Sequence, residues 1–232
     1  MCFSANASFV GAAVVTGAGV ACLAMVRERR EIPFAALPLL FGIHQLLEGV
    51  TWLELDGRGD AVLNGWGTQA WVMFAWALLP AYVPWASWLL EDDPKRKRLM
   101  LPLMILGFLL GVFMITQAVQ PEIQVSVVNG NLNYVLGLPF PGWVLGLPYV
   151  LTTCLTPSIS TRRWIQVFGI GNFIAMSLAG IIEYKDYSSI WCTLAAFLSL
   201  IIVVHFVTHG RRRRSGDYVR PDPGGGLQPA VG

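Results

Sequence analysis

Residues 95–119 read KRKRLMLPLMILGFLLGVFMITQAV: four consecutive cations, then a stretch, 99–119, in which no residue carries a charge. A helix on the surface of a soluble domain needs a polar face, and this one has none on any side. At 1.5 Å per residue, about 20 apolar residues match the ~30 Å of hydrocarbon in a bilayer. The stretch therefore predicts a transmembrane helix, anchored at one end by Lys95, Arg96, Lys97 and Arg98. Working outward, six further apolar runs fall at 8–26, 32–54, 66–90, 142–157, 164–183 and 189–208. With 55% hydrophobic and 13% charged residues in 232, against the ~25% charged residues of soluble chains, a soluble domain is excluded. The predicted fold is all-α: a polytopic membrane protein of seven transmembrane helices over residues 1–210, with a tail at 211–232.

The charges orient the bundle. Arg27, Arg29 and Arg30, then Lys95 to Arg98, then Arg162 and Arg163, then Arg211 to Arg214 and Arg220 follow the odd-numbered spans, whereas the alternate loops hold only Arg58 and Lys185. Short loops rich in Lys and Arg stay cytoplasmic, which puts the N-terminus outside and the C-terminus inside. The RRRR run directly after a span reads as a topology anchor meeting anionic lipid headgroups, not as a nucleic-acid patch. MCFSANAS lacks a basic leader region, so the first apolar run is expected to persist as a span.

Aromatic residues cluster at the predicted boundaries, with Trp52, Trp66, Trp71, Trp143 and Tyr184 outside and Trp85, Trp88 and Trp164 inside. The first span is rich in Gly, Ala and Val, a composition that lets helix backbones approach closely. Pro38 is expected to kink the second span. The longest connection, 120–141, contains IQVSVVNGNLNYVLG, which reads either as a hairpin turning at Asn129-Gly130 over the bundle mouth or as an irregular loop. The Gly/Pro-rich tail from Ser215 is expected to be disordered. Phe41 to Leu47 lines up with Phe168 to Ile174, a faint internal repeat that sets Asn172 at the place of Gln45.

Glu48 is the most informative single position. It lies sixteen residues into the second span, about 24 Å from its cytoplasmic start. A charge at such depth costs at least ~2.5 kcal/mol, so the side chain must face the interior or a wet cavity. His44 sits one turn earlier on the same face, within reach of an imidazole–carboxylate hydrogen bond. Such a pair can bind a cation, relay protons, hold a polar ligand, or serve packing alone. Gln45, Gln69, Thr116, Gln117, Ser177 and Thr193 are expected to line the same outer half. Cys2 and Cys192 both fall outside, where they can form a disulfide, supply thiolates, or remain an inert buried thiol and a free terminus. The seventh span has no Lys for a retinal Schiff base, and no phosphate-binding glycine motif occurs.

His205 and His209 form H-x-x-x-H, a spacing able to chelate zinc from one helix face. With His44, they are similar to the histidines of the seven-helix zinc hydrolases that include alkaline ceramidases and adiponectin receptors. That family's Ser before the second-span His is Leu40 here, and its third-span Asp is missing. The opening MCFSANASF, the stretch PFAALPLLFGIHQLLEGVTWL at 33–53 and SSIWCTLAAFLSL at 188–200 together resemble a bacterial family of uncharacterised membrane proteins that begin Met-Cys-Phe-Ser-Ala and carry a Q-x-x-E-G-x-x-W core. Its motif residues fall on Cys2, Phe3, Ser4, Gln45, Glu48, Gly49, Trp52, Trp191 and Cys192. No activity comes with that resemblance.

The leading expectation is non-enzymatic, with no cofactor: a plasma-membrane protein of a bacterial cell that binds or passes a small polar molecule or ion, with His44, Gln45, Glu48, Trp52, Asn172, Cys2 and Cys192 as binding candidates. The alternatives are a metal- or thiol-dependent membrane enzyme, with zinc on His44, His205 and His209, and a sensory or scaffolding protein working through its basic face.

Overall fold

The computed structural model describes residues 4–55, 62–63, 65–118, 123–128, 130–138, 141–182 and 187–214. Cys2 and the tail from Ser215 lie outside the described residues, as do Arg58, Tyr184 and Lys185. Seven helical rods follow one another: α1 (Ala5–Ala24), α2 (Arg29–Leu55), α3 (Trp66–Leu90), α4 (Pro94–Ala118), α5 (143–158), α6 (Arg163–Ile182) and α7 (187–214). Six of them, all except α5, are long and apolar enough to cross a membrane. Their exposed surfaces are those of a membrane protein: Leu109 is 64% and Ile181 80% exposed. Side chains so placed in water would be a liability, whereas in hydrocarbon they face their own kind.

α5 departs from the expected pattern. At 1.5 Å per residue it reaches about 24 Å, short of the ~30 Å core. Its course is interrupted by a π-helical turn at Leu151–Leu155, directly before Pro157. A second π-helical turn, Met73–Leu78 in α3, precedes Pro80 in the same way. Proline has no N–H to give the carbonyl of the preceding turn, so the hydrogen-bond ladder must be rearranged around it. In α3 the rearrangement has a visible partner, because the Tyr149 hydroxyl donates to the Ala75 carbonyl at 2.6 Å. Pro38 acts as expected, interrupting α2 at Ala36 between Ile32–Ala35 and Leu37–Leu55. α7 continues through the arginine run to Arg214, so those residues extend the last helix instead of opening the tail.

The 120–141 connection does form a hairpin. β2 (Gln124–Val128) pairs antiparallel with β3 (Asn131–Val135), Val128 standing opposite Asn131. A two-residue strand, β1 (Val62–Leu63), adds to the far edge of β2, which the sequence reading had not anticipated. Gly130 has φ 79°, a left-handed conformation that costs a β-branched residue about 1–2 kcal/mol. Gly130→Val is expected to lower thermal stability by that amount; an unchanged melting temperature would show that the turn contributes nothing. Val125, Leu132 and Tyr134 of this sheet, and Ile123 just before it, are buried, packing with Leu55, Trp71 and Ala118 at one end of the bundle. Trp71, expected in the outer aromatic belt, is instead fully buried, its ring stacked on Tyr134 with centroids 3.8 Å apart.

The opposite, basic end is closed by polar contacts among three loops. Asp92 accepts from Arg30 at 2.6 Å and from Arg162 at 2.8 Å. Glu91 accepts from the Thr161 N–H at 2.8 Å and the Thr161 hydroxyl at 2.7 Å, while Arg96 donates to the Ile159 carbonyl at 2.7 Å. Burial pushes the Glu91 carboxyl up, but the N–H groups of Asp93 and Thr161 and the Thr161 hydroxyl outweigh it and hold it below the ordinary carboxylate range. Asp92 is lowered too, Arg30 and Arg162 prevailing over desolvation. A carboxyl lowered in the folded state stabilises fully above its ordinary range and loses that contribution as pH falls through the folded value. The purified protein is therefore expected to melt at a constant temperature near neutrality and progressively lower below about pH 4, where ordinary carboxyls titrate. Glu91→Gln, costing about 1–2 kcal/mol through its charged hydrogen bonds, should flatten much of that acid slope. The half-exposed Asp92 should contribute less, ~1 kcal/mol at most. An acid slope identical in Glu91→Gln would contradict the assignment.

Candidate functional site

α1 and α2 form an antiparallel pair through glycines. Gly19 lies on the backbone of Leu39, Gly42 on Thr16, and Gly49 on Phe9, one contact following another along the seam. This close approach buries one face of α2: His44, Gln45, Glu48 and Thr51 are all within 3% of complete burial. Glu48 is fully buried in a helix otherwise apolar enough for hydrocarbon. Gln45, one turn earlier, donates from Nε2 to Glu48 Oε2 at 3.3 Å. Thr51 satisfies itself on the Leu47 carbonyl at 3.1 Å.

The hydrogen bond expected between His44 and Glu48 is not formed. Both His44 nitrogens are buried and make no hydrogen bond among the described residues. The imidazole lies instead among aromatic rings, 4.9 Å from Trp71 and 5.6 Å from Phe74. Helical spacing brought His44 to the correct face, but the ring found α3 before it found the carboxylate. Trp52 Nε1, one turn after Glu48, and Trp71 Nε1, on the ring that packs against His44, likewise have no hydrogen-bond partner among the described residues. Buried polar groups are almost always satisfied, so unpartnered nitrogens on His44 and Trp52, one helical turn to either side of Glu48, set this stretch of α2 apart from its apolar surroundings.

Cys192 joins this neighbourhood from α7, packing in the cluster that holds Trp71, Tyr134 and Leu55. It also borders a cavity of about 20 Å³, room for a single water, lined by Phe41, Thr153, Phe168, Asn172 and Trp191. Asn172 is buried there and donates to the Phe168 carbonyl at 2.9 Å. Cys192 and Asn172 thus share one small cavity, and Cys192 also packs in the cluster of Trp71 against which Trp52 lies.

Other expected lining residues are committed elsewhere. Gln69 donates to the Ala118 carbonyl at 3.1 Å, Gln117 to the Thr116 hydroxyl at 3.2 Å, and Ser177 to the Phe173 carbonyl at 2.9 Å. The histidines of the metal expectation have different ring neighbours: His205 packs against Phe34 and Phe206, and His44 against Trp71 and Phe74. The side chain of His209 lies outside the described residues, and no three His, Cys, Asp or Glu side chains gather as a metal set among the described residues. Glu54 is a polar anchor that sequence reading passed over. Its carboxylate accepts the Gly67 N–H at 2.9 Å and the Thr68 N–H at 3.4 Å, stabilising the start of α3 from the end of α2. The signal was an acidic residue at one helix end and glycines at the next helix start.

No curated protein and no solved structure is matched by this chain. One family is matched over residues 1–219, spanning every element described above, and the chain belongs to it: the family of unknown function DUF6629.

Proposed function

We propose that this membrane protein binds a small polar molecule or cation in the half of the bundle beneath the hairpin, with Glu48 as its charged anchor. The observation that carries the reading is the complete burial of Glu48, with the unsatisfied nitrogens of His44 and Trp52 one helical turn to either side of it on α2. An ionisable side chain retained at membrane depth is expensive unless it does chemistry or meets a partner. Gln45 supplies one donor, and the indole and imidazole N–H groups supply others suited to an oxygen on the ligand. Cys192 packs in the cluster that Trp71 and Trp52 share.

The distribution of Lys and Arg supports a bacterial plasma-membrane orientation with the hairpin end outward and the basic end cytoplasmic, α5 completing a seventh crossing in a locally thinned region. Arg27, Arg29, Lys95, Arg98 and Arg163, exposed at that end, would meet anionic headgroups. A thermal-shift screen of the purified protein against sodium, potassium, magnesium, calcium and small primary amines tests the site. A true ligand at about 100-fold its Kd should add ~2.7 kcal/mol of stability to the wild type. The reading fails if every compound that stabilises the wild type stabilises Glu48→Gln equally.

A further inference from the structure

Pro80 leaves one buried carbonyl of α3 without a backbone donor. In the π-helical turn Met73–Leu78 the Leu79 N–H bonds to the Phe74 carbonyl, so it is lost to Ala75. The next N–H along the ladder would belong to Pro80, which has none. Ala75 is fully buried, and its carbonyl is satisfied from another helix, by the Tyr149 hydroxyl of α5 at 2.6 Å. A proline in α3 thus creates the acceptor that fastens α5.

Tyr149 also stands where two voids meet. One is a groove of about 530 Å³ between α4, α5, α6 and α7, open at the surface where Trp143 is 70% exposed. The other is the cavity of about 20 Å³ that Asn172 and Thr153 line. Among the described residues, Tyr149, Trp191 and Cys192 line both. The Tyr149 and Trp191 rings meet edge to face, with centroids 5.2 Å apart. The partition between groove and cavity is therefore two aromatic rings and a thiol.

The segment that carries Tyr149 is lightly held. Trp143–Val150 contains no buried residue, and a Cβ on Gly142 or Gly146 would meet nothing within 4 Å. Directly after it, the π-helical turn Leu151–Leu155 interrupts the α-helical ladder, the kind of break at which helices bend. The Tyr149 carbonyl at that break is taken by side-chain hydroxyls, of Thr152 at 2.9 Å and of Thr153 at 2.7 Å. A lever, a latch and a hinge thus succeed one another along α5.

We propose that the first half of α5 is a hinged gate, latched shut by the bond from Tyr149 to Ala75, whose release joins the open groove to the buried cavity at Asn172. Glu48 plays no part in this gate, which holds or fails independently of the ligand proposed there. The full chain carrying Ala195→Cys, reconstituted in vesicles of phosphatidylethanolamine and phosphatidylglycerol, provides the test. Ala195 lines the cavity and not the groove, so N-ethylmaleimide arriving by the groove must pass the partition to alkylate a thiol at that position. Cys22, fully buried and lining neither void, reports general loosening, the alkylated sites being assigned by mass spectrometry.

Tyr149→Phe should speed alkylation at Ala195→Cys about tenfold, the equivalent of one net hydrogen bond, and leave Cys22 unchanged. Pro80→Ala should act by a second route. It returns to α3 an N–H that competes with Tyr149 for the Ala75 carbonyl, so alkylation should rise without a fall in melting temperature. If neither variant speeds alkylation at Ala195→Cys, or if Cys22 accelerates in equal measure, the gate is overturned.

Discussion

Gly19→Leu is expected to cost about 3 kcal/mol or more and to lower the melting temperature and yield of the purified protein sharply. A Cβ at this position would overlap the Leu39 backbone, its second and third nearest atoms being Leu39 Cα and Cβ at 2.6 Å. Backbone cannot swing aside as a flexible side chain would, so α1 must move away from α2. Without a hydrophobic force between helices in lipid, that association depends on close packing, and losing contact distance loses the association. The damage should reach Glu48, because the same seam buries the polar face of α2. Gly17→Leu is the control two residues away, where a Cβ meets nothing within 4 Å. If the two variants melt alike, the glycine seam is not what holds the pair.

Glu48→Gln is expected to remove ligand binding while leaving the fold intact. The substitution keeps the shape and one carbonyl oxygen, so Gln45 Nε2, now at 3.3 Å from Glu48 Oε2, retains an acceptor. What disappears is the negative charge. Losing one partner of a buried charged contact costs about 2–5 kcal/mol of affinity, a factor of roughly 30 or more in Kd. A purely architectural Glu48 predicts otherwise. Glu48→Met would then be neutral or stabilising, as well-packed apolar replacements of buried charges often are. Melting temperatures of the two variants, each measured with and without the stabilising compound from the cation and amine screen, separate the cases. Glu48→Met more stable than the wild type, with the response to the compound unchanged, would make Glu48 a packing residue.

Several parts of this protein were legible in its residues alone. An uncharged run such as 99–119 has a single satisfactory solvent, so α4 and the membrane class follow from composition and length. The Asn129-Gly130 hairpin was legible as one of two readings, because alternation with period two and a turn-forming pair are local signals. The burial of Glu48 was legible because an acidic side chain within an apolar span must turn away from lipid, whichever partner it then meets. The π-helical turns before Pro80 and Pro157 were not, since where a freed carbonyl finds its replacement depends on a distant group such as the Tyr149 hydroxyl.

Which partner each polar group takes was decided by tertiary packing. Spacing of four residues put His44 and Glu48 on one face, yet the imidazole went to Trp71 and Phe74, and Gln45 reached the carboxylate. Trp71 had the sequence profile of an interfacial residue and became the floor under Tyr134. Arg30, Arg96 and Arg162 fit a topology signal equally well whether free or bonded, and only the folded loops committed them to Asp92 and to the carbonyls near residue 160. Hydropathy and charge are properties each residue brings with it, so they fix solvent, span and face in advance. Contacts between helices depend on crossing angle and distance, which here are set by a few glycines and prolines acting together across the bundle.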